Sequence, residues 1–290
     1  MRSVLPVLLL TPWLLMPRAL TPRVLNGQTA PAQTQAPAGT ALVDRALAAE
    51  LRAAQDASHP MRYKLRKTSP RLTSTKEIVE TPEGAVARLV AIGDKPLSAA
   101  DESKEQARLD GLLNDPALQR HRKQSEDQDT VRALKVLRAL PQAFVYQYAS
   151  TDAATSIAKF TFKPNPAFSP LNLETQALTE MAGEIWIDEA QGRVTRLDGH
   201  LLEDVEFGWG ILGRLNKGGW IAIEQSDVGG GQWRIRRFQM AMSGRVLFKM
   251  KSFDTEEEET RFAPVPAGVG YRKAIEMLRA SDAGPGPGSR

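Results

Sequence analysis

Three glycines, Gly208, Gly210 and Gly213, stand at the Gly-x-Gly-x-x-Gly spacing of a phosphate-cradling turn, with Glu224 near the distance of a ribose-binding acid. In a dinucleotide fold such glycines end a strand and open a helix whose N-terminus faces the pyrophosphate. Only Arg214 to Gly219 separate the last glycine from the next expected strand at Trp220, too few residues for that helix. The stretch therefore reads as a turn carrying the apolar residues Trp209, Ile211 and Leu212. His59, His121 and His200 fall in different expected elements, and no His-Glu-x-x-His or Gly-x-Ser-x-Gly pattern joins them. The acidic run Glu256 to Glu259 lacks the spaced, glycine-turned pattern of a calcium loop and is expected to be a solvated strand end. Absence of cysteine removes disulfides, thiolate ligands and a cysteine nucleophile. No catalytic, cofactor or metal residue is assigned. A hydrolase assembling Ser, His and Asp from distant segments is the enzymatic alternative.

Aromatic residues offer a different chemistry. Trp186, Trp209, Trp220 and Trp233 fall within 48 residues of expected sheet. Together with Ile211 and Leu212 they are candidates for the wall of an apolar cavity, or for a plug under the sheet's open edge. The competing expectation is an ordinary aromatic core.

The elements that must position these residues are mostly strands. Gly183 to Leu202 reads as a β-hairpin: Ile185, Trp186 and Ile187 are strand formers, Asp188 to Gly192 is turn-rich, and Val194, Thr195 and Leu197 resume the pattern. Alternating segments from Met61 to Ile92, Ala143 to Lys163 and Trp220 to Phe253 supply the rest. Within Trp233 to Met242 the apolar parity shifts from odd (Trp233, Ile235) to even (Phe238, Met240), so a one-residue bulge is expected near Arg236 and Arg237. Ser98 to Leu140 differs, with leucines at helical spacing and a break at Asn114-Asp115-Pro116. It is expected as a helical pair covering the sheet, the alternative being a mobile lid or partner-binding arm. Short links exclude parallel crossovers elsewhere. The expected class is mainly β (α+β): a large curved antiparallel sheet or incomplete β-barrel with a helical insert.

The chain opens with Arg2 and a Leu-rich run ending at Met16, the layout of a secretory leader, with a small-x-small site at Ala30-Pro31-Ala32. Organisation is expected as a signal peptide over 1–32, a spacer and helix over 33–57, one β domain over 58–280 carrying the insert 98–140, and a disordered tail over 281–290. Removing Arg2, Arg18 and Arg23 from the 38 basic residues leaves 35 against 34 acidic ones. That near-neutral balance argues against nucleic acid as a partner. No stretch of the mature chain is long and apolar enough to span a membrane.

Gly-x-Ile-Trp-Ile-Asp from Gly183, a short turn, then Arg-Val-x-Arg-Leu-x-Gly to Gly199 resembles the strands of the exported lipoprotein carriers and their LolA/LolB-like relatives. The resemblance implies an incomplete antiparallel barrel with helices filling its open side. No residue maps onto a carrier's working site, so none is carried over. On this basis the protein is expected to be exported to the periplasm or secreted, non-enzymatic, without cofactor, and able to hold a lipid, lipoprotein or other apolar envelope component in its concave face. The alternative is an envelope scaffold contacting a partner protein through 98–140.

Overall fold

The structure, a computed structural model, describes residues 38–280 except 209–211 and 248. The expected leader and tail lie outside the described residues, as do Trp209 and Ile211.

The alternating segments form strands that all join one antiparallel sheet. In chain order these are β1 (Met61–Thr68), β2 (Thr73–Val79), β3 (Val86–Ile92), β4 (Lys95–Pro96), β5 (Phe144–Asp152), β6 (Ile157–Pro164), β7 (Met181–Asp188) and β8 (Arg193–Leu201). Then follow β9 (Val205–Phe207), β10 (Gly213–Leu215), β11 (Trp220–Asp227), β12 (Trp233–Val246) and β13 (Lys249–Pro264). Eleven strands lie along the path β4-β3-β2-β1-β13-β12-β11-β8-β7-β6-β5, while β9 and β10 form a hairpin added beside β12. The end strands β4 and β5 do not meet, so the sheet is large, antiparallel and open.

Its bending has a visible origin. Ser150, Lys159, Trp186, Arg196, Glu224, Arg237, Glu258, Arg66, Thr75 and Ala91 are successive cross-strand partners, a single row over ten strands. Immediately beside this row four strands each carry one extra residue: Ala149, Thr195, Arg236 and Val90. Each bulge kinks its strand and adds twist, and together they crease the sheet along one line. Arg236 falls where the parity shift placed it. A second device sits in the hairpin, where a Cβ on Gly183 would lie 1.9 Å from the Asp198 carbonyl oxygen. Only glycine lets β7 and β8 approach this closely.

Helices fill the bend. Asp115 accepts the Ala117 N–H at 2.9 Å and Pro116 occupies the first turn, so the insert is two helices, α2 (Ala99–Asn114) and α3 (Pro116–Ala143). With α1 (Ala38–Gln55), α3 packs on β5 to β8 through Val43, Leu47, Val136 and Leu140 against Phe160, Ile185 and Ile187. The insert is thus part of the core rather than a detached arm. A short α4 (Leu173–Gln176) and a 3-10 turn, which the sequence pattern did not announce, complete this layer. At the other end α2 and α5 (Tyr271–Ala280) enclose Val79, Val86, Leu109 and Leu278. There α2 also satisfies the edge of β3: Glu105 accepts the Leu89 N–H at 2.9 Å and Arg108 donates to the Ala87 carbonyl at 2.6 Å.

One expectation is corrected. The acidic run is not a solvated strand end but the middle of β13, where Glu257 and Glu259 are 7% and 3% exposed. Strands on both sides supply basic partners to Glu257 and its neighbour Glu256. Lys67 of β1 reaches Glu257 at 2.8 Å, and Arg237 of β12 pairs with Glu256.

Candidate binding cavity

Between α1, α3 and the bent sheet lies a cavity of about 180 Å³. Leu47 and Ala54 of α1, Val136 and Leu140 of α3, and Leu197, Ile221, Ile223 and Ile235 of the sheet supply most of its wall. α1 and α3 pack on β5 to β8, and the cavity lies where the wall continues to Ile221, Ile223 and Ile235 of β11 and β12. A cavity of about 150 Å³ lined by aliphatic side chains stays dry and accepts a benzene-sized guest, so this one has room for a ring or a short stretch of acyl chain.

Glu50, Arg193 and Gln225 form one polar stretch of the wall, and Glu174 of α4, paired with Lys135 at 2.9 Å, is a separate polar residue in it. β8 and β11 are partners only from His200/Trp220 to Arg196/Glu224; beyond that pair they part. Val194 is consequently left without a backbone partner on the β11 side. Its N–H donates to Glu50 at 3.1 Å, and its carbonyl accepts from the Gln225 amide. Glu50 also receives two hydrogen bonds from Arg193, Nε to Oε1 at 2.8 Å and a terminal nitrogen to Oε2 at 2.9 Å. The Arg193 guanidinium lies 5.3 Å from the centre of the Trp233 ring, within cation–π range. Arg193 and Glu50 side chains are each 14% exposed, so this pair is held largely out of water. Deeper in the same wall, Arg234 donates to the His59 carbonyl at 2.8 Å and lies 3.9 Å from the buried Glu80 carboxylate.

No family model, characterised protein or solved structure matches the chain. The site must be read from its own residues.

Of the six apolar candidates, Trp233 lines the cavity. Trp186 lies on the opposite face of the sheet, between Lys159 and Arg196, each 5.2 Å from its ring. Its neighbours Ile185 and Ile187 take the inner face instead. Trp220 is 41% exposed beside Ile221, whose side chain points inward, and Leu212 is 42% exposed at the β9–β10 turn. Trp209 and Ile211 are outside the described residues. Among the described residues, Trp186, Trp220 and Trp233 are thus separated rather than gathered.

Glu50 and Arg193 were missed, yet a signal existed for one of them. Val43, Ala46, Leu47, Glu50, Leu51 and Ala54 share one face of α1, so Glu50 is a carboxylate set in an apolar stripe. Such a position asks for a partner. Its identity, Arg193, is set by the bulge at Thr195 and could not be read from spacing.

Among the described residues the histidines do not assemble a catalytic relay. Asp56, Ser58 and His59 do meet, with Ser58 Oγ 2.9 Å and Asp56 Oδ2 3.2 Å from the ring. Both contacts fall on the same nitrogen, Nδ1, whereas a nucleophile and its orienting carboxylate must occupy opposite ring nitrogens. The trio forms an exposed turn after α1 rather than a cleft. Among the described residues no group of His, Asp and Glu has the arrangement of a metal site.

Proposed function

We propose that this protein is an exported, non-enzymatic binder of an apolar molecule, an acyl chain or lipid tail, held between the concave face of the sheet and helices α1 and α3. The observation that carries this reading is the cavity's mainly aliphatic wall, with Glu50 and Arg193 set into it. Apolar guests gain about 25 cal/mol for each Å² withdrawn from water, and a pre-formed void avoids the cost of opening one. The leader-like N-terminus and the likeness of the Gly183 hairpin to lipoprotein carriers support an envelope setting. Among the described residues no helix is long and apolar enough to cross a membrane.

Native mass spectrometry of the full chain, purified from its own envelope without added lipid, tests the reading. A mass adduct released by organic solvent is expected. Bare protein that also fails to take up dodecanol in calorimetry would overturn it.

A further inference from the structure

Glu50 presents one carboxylate to donors on a different element, at the wall of an apolar cavity. Arg193 supplies two parallel N–H groups at 2.8 and 2.9 Å, and the Val194 backbone supplies a third at 3.1 Å. Trp233 lies against the guanidinium plane at 5.3 Å and helps to fix its orientation. This fork-shaped arrangement is the geometry that recognises a planar carboxylate, and arginine is suited to it because its donors are rigidly spaced. The site is built by the sheet: Arg193 and Val194 lie at the start of β8, where β11 has parted from it, and Trp233 opens β12. Its occupant comes from elsewhere, the last two turns of α1.

We propose that Glu50 stands in for the carboxylate head of the true ligand, and that the ligand is a fatty-acid-like monocarboxylate whose carbons nearest the head fill the adjoining cavity. This rests on the apolar-binding reading above and deepens it. A ligand head displacing Glu50 keeps all three donors satisfied, so no buried donor is orphaned by the exchange. The Glu50 side chain is 14% exposed and lies in the last two turns of α1, so its carboxylate reaches water when that end of the helix lifts from β8. The contact then acts as a latch. The empty protein holds α1 closed over the cavity, and a carboxylate with an apolar tail releases that end of the helix. An alcohol of the same length gains the cavity but not the fork, and acetate reaches the fork without gaining the cavity.

Calorimetry on the full chain at pH 8 with dodecanoate, dodecanol and acetate tests the proposal. Dodecanoate is expected to bind about tenfold more tightly than dodecanol, whose hydroxyl meets a fork still filled by Glu50 and is buried without a partner. Glu50→Gln, which removes the competing charge, should tighten dodecanoate several-fold and leave dodecanol unchanged. Arg193→Gln should erase the preference. Equal affinities for dodecanoate and dodecanol in the unmodified chain would overturn this inference while leaving the apolar-binding reading intact. Binding of neither would overturn both, and acetate binding as tightly as dodecanoate would reduce the fork to a simple anion site and overturn the inference. The comparison in the unmodified chain decides the matter even if Arg193→Gln fails to fold.

Discussion

Glu50 and Arg193, 143 residues apart in the chain, share two hydrogen bonds of 2.8 and 2.9 Å at the point where the sheet parts. The pair fastens α1 to β8 and closes one end of the cavity. Other features of the same region carry expectations that need no ligand identity.

Ala54 lines the cavity from α1 with little side chain of its own. Ala54→Leu adds three carbons to a void, each worth roughly 0.8 kcal/mol on burial, less the rotamer entropy of the new side chain. A gain of about 1 kcal/mol in chemical denaturation is expected, together with loss of dodecanol uptake. A less stable variant would show that the space is too small to fill.

Gly183→Ala places a methyl where the Asp198 carbonyl already stands, at 1.9 Å. Strands β7 and β8 must then separate, at a cost of about 3 kcal/mol, the upper range for overpacking. Gly111→Ala serves as the control. Nothing lies within 4 Å of that Cβ, and in the interior of α2 alanine should stabilise by about 0.5–1 kcal/mol. Denaturant midpoints that move in the same direction for the two variants would contradict this account of the bend.

Tyr146 of β5 packs in the core shared with α1 and α3, and its hydroxyl donates to the Leu140 carbonyl at 3.1 Å. Burial, with a smaller contribution from Asp44, raises its phenol well above the ordinary value. A folded-state value raised in this way contributes stability that is fully present below about pH 10, the unfolded value, and is lost as pH climbs beyond it. Tyr146→Phe should therefore cost about 1 kcal/mol at neutral pH. It should also flatten the alkaline fall in stability, as followed by melting temperature between pH 9 and 11.

Glu126 on α3 has its carboxylate raised above the usual range by burial, although it accepts the Ala85 N–H at 3.1 Å. Here too the folded-state value lies above the unfolded one, so the stability linked to its proton is present at low pH and lost as pH rises through the folded value. Glutamine keeps an acceptor for Ala85 and carries no charge. Glu126→Gln should be the more stable form at pH 7, with its advantage shrinking to nothing below about pH 4. An advantage that persisted at pH 4 would mean that charge is not its source.

The fold was legible because its signals are local. Period-two alternation marks nearly every strand, Asn114-Asp115-Pro116 divides the insert, and the parity change within Trp233 to Met242 locates the bulge at Arg236. Tryptophan was a poor guide to the site, because its place depends on which face each strand position takes. Trp186 and Trp220 alternate with inward Ile185, Ile187 and Ile221, and among the described tryptophans only Trp233, beyond the bulge, reaches the cavity. The acidic run misled for a related reason. Four consecutive glutamates look solvated in isolation, and the basic partners that hold Glu256 and Glu257 come from β12 and β1. Glu50 and Arg193 join through tertiary structure alone.

The row of bulges also has a mechanical consequence. A flat ribbon flexes easily, whereas one folded along a line across its length resists being flattened, as corrugated board does. With Ala149, Thr195, Arg236 and Val90 set beside one row of ten strands, the sheet has such a fold line and is expected to resist flattening. Changes in the volume it encloses must therefore come from the helical side, where α1 is fastened at its end by Arg193. The deformable half of the container is the half that carries Glu50.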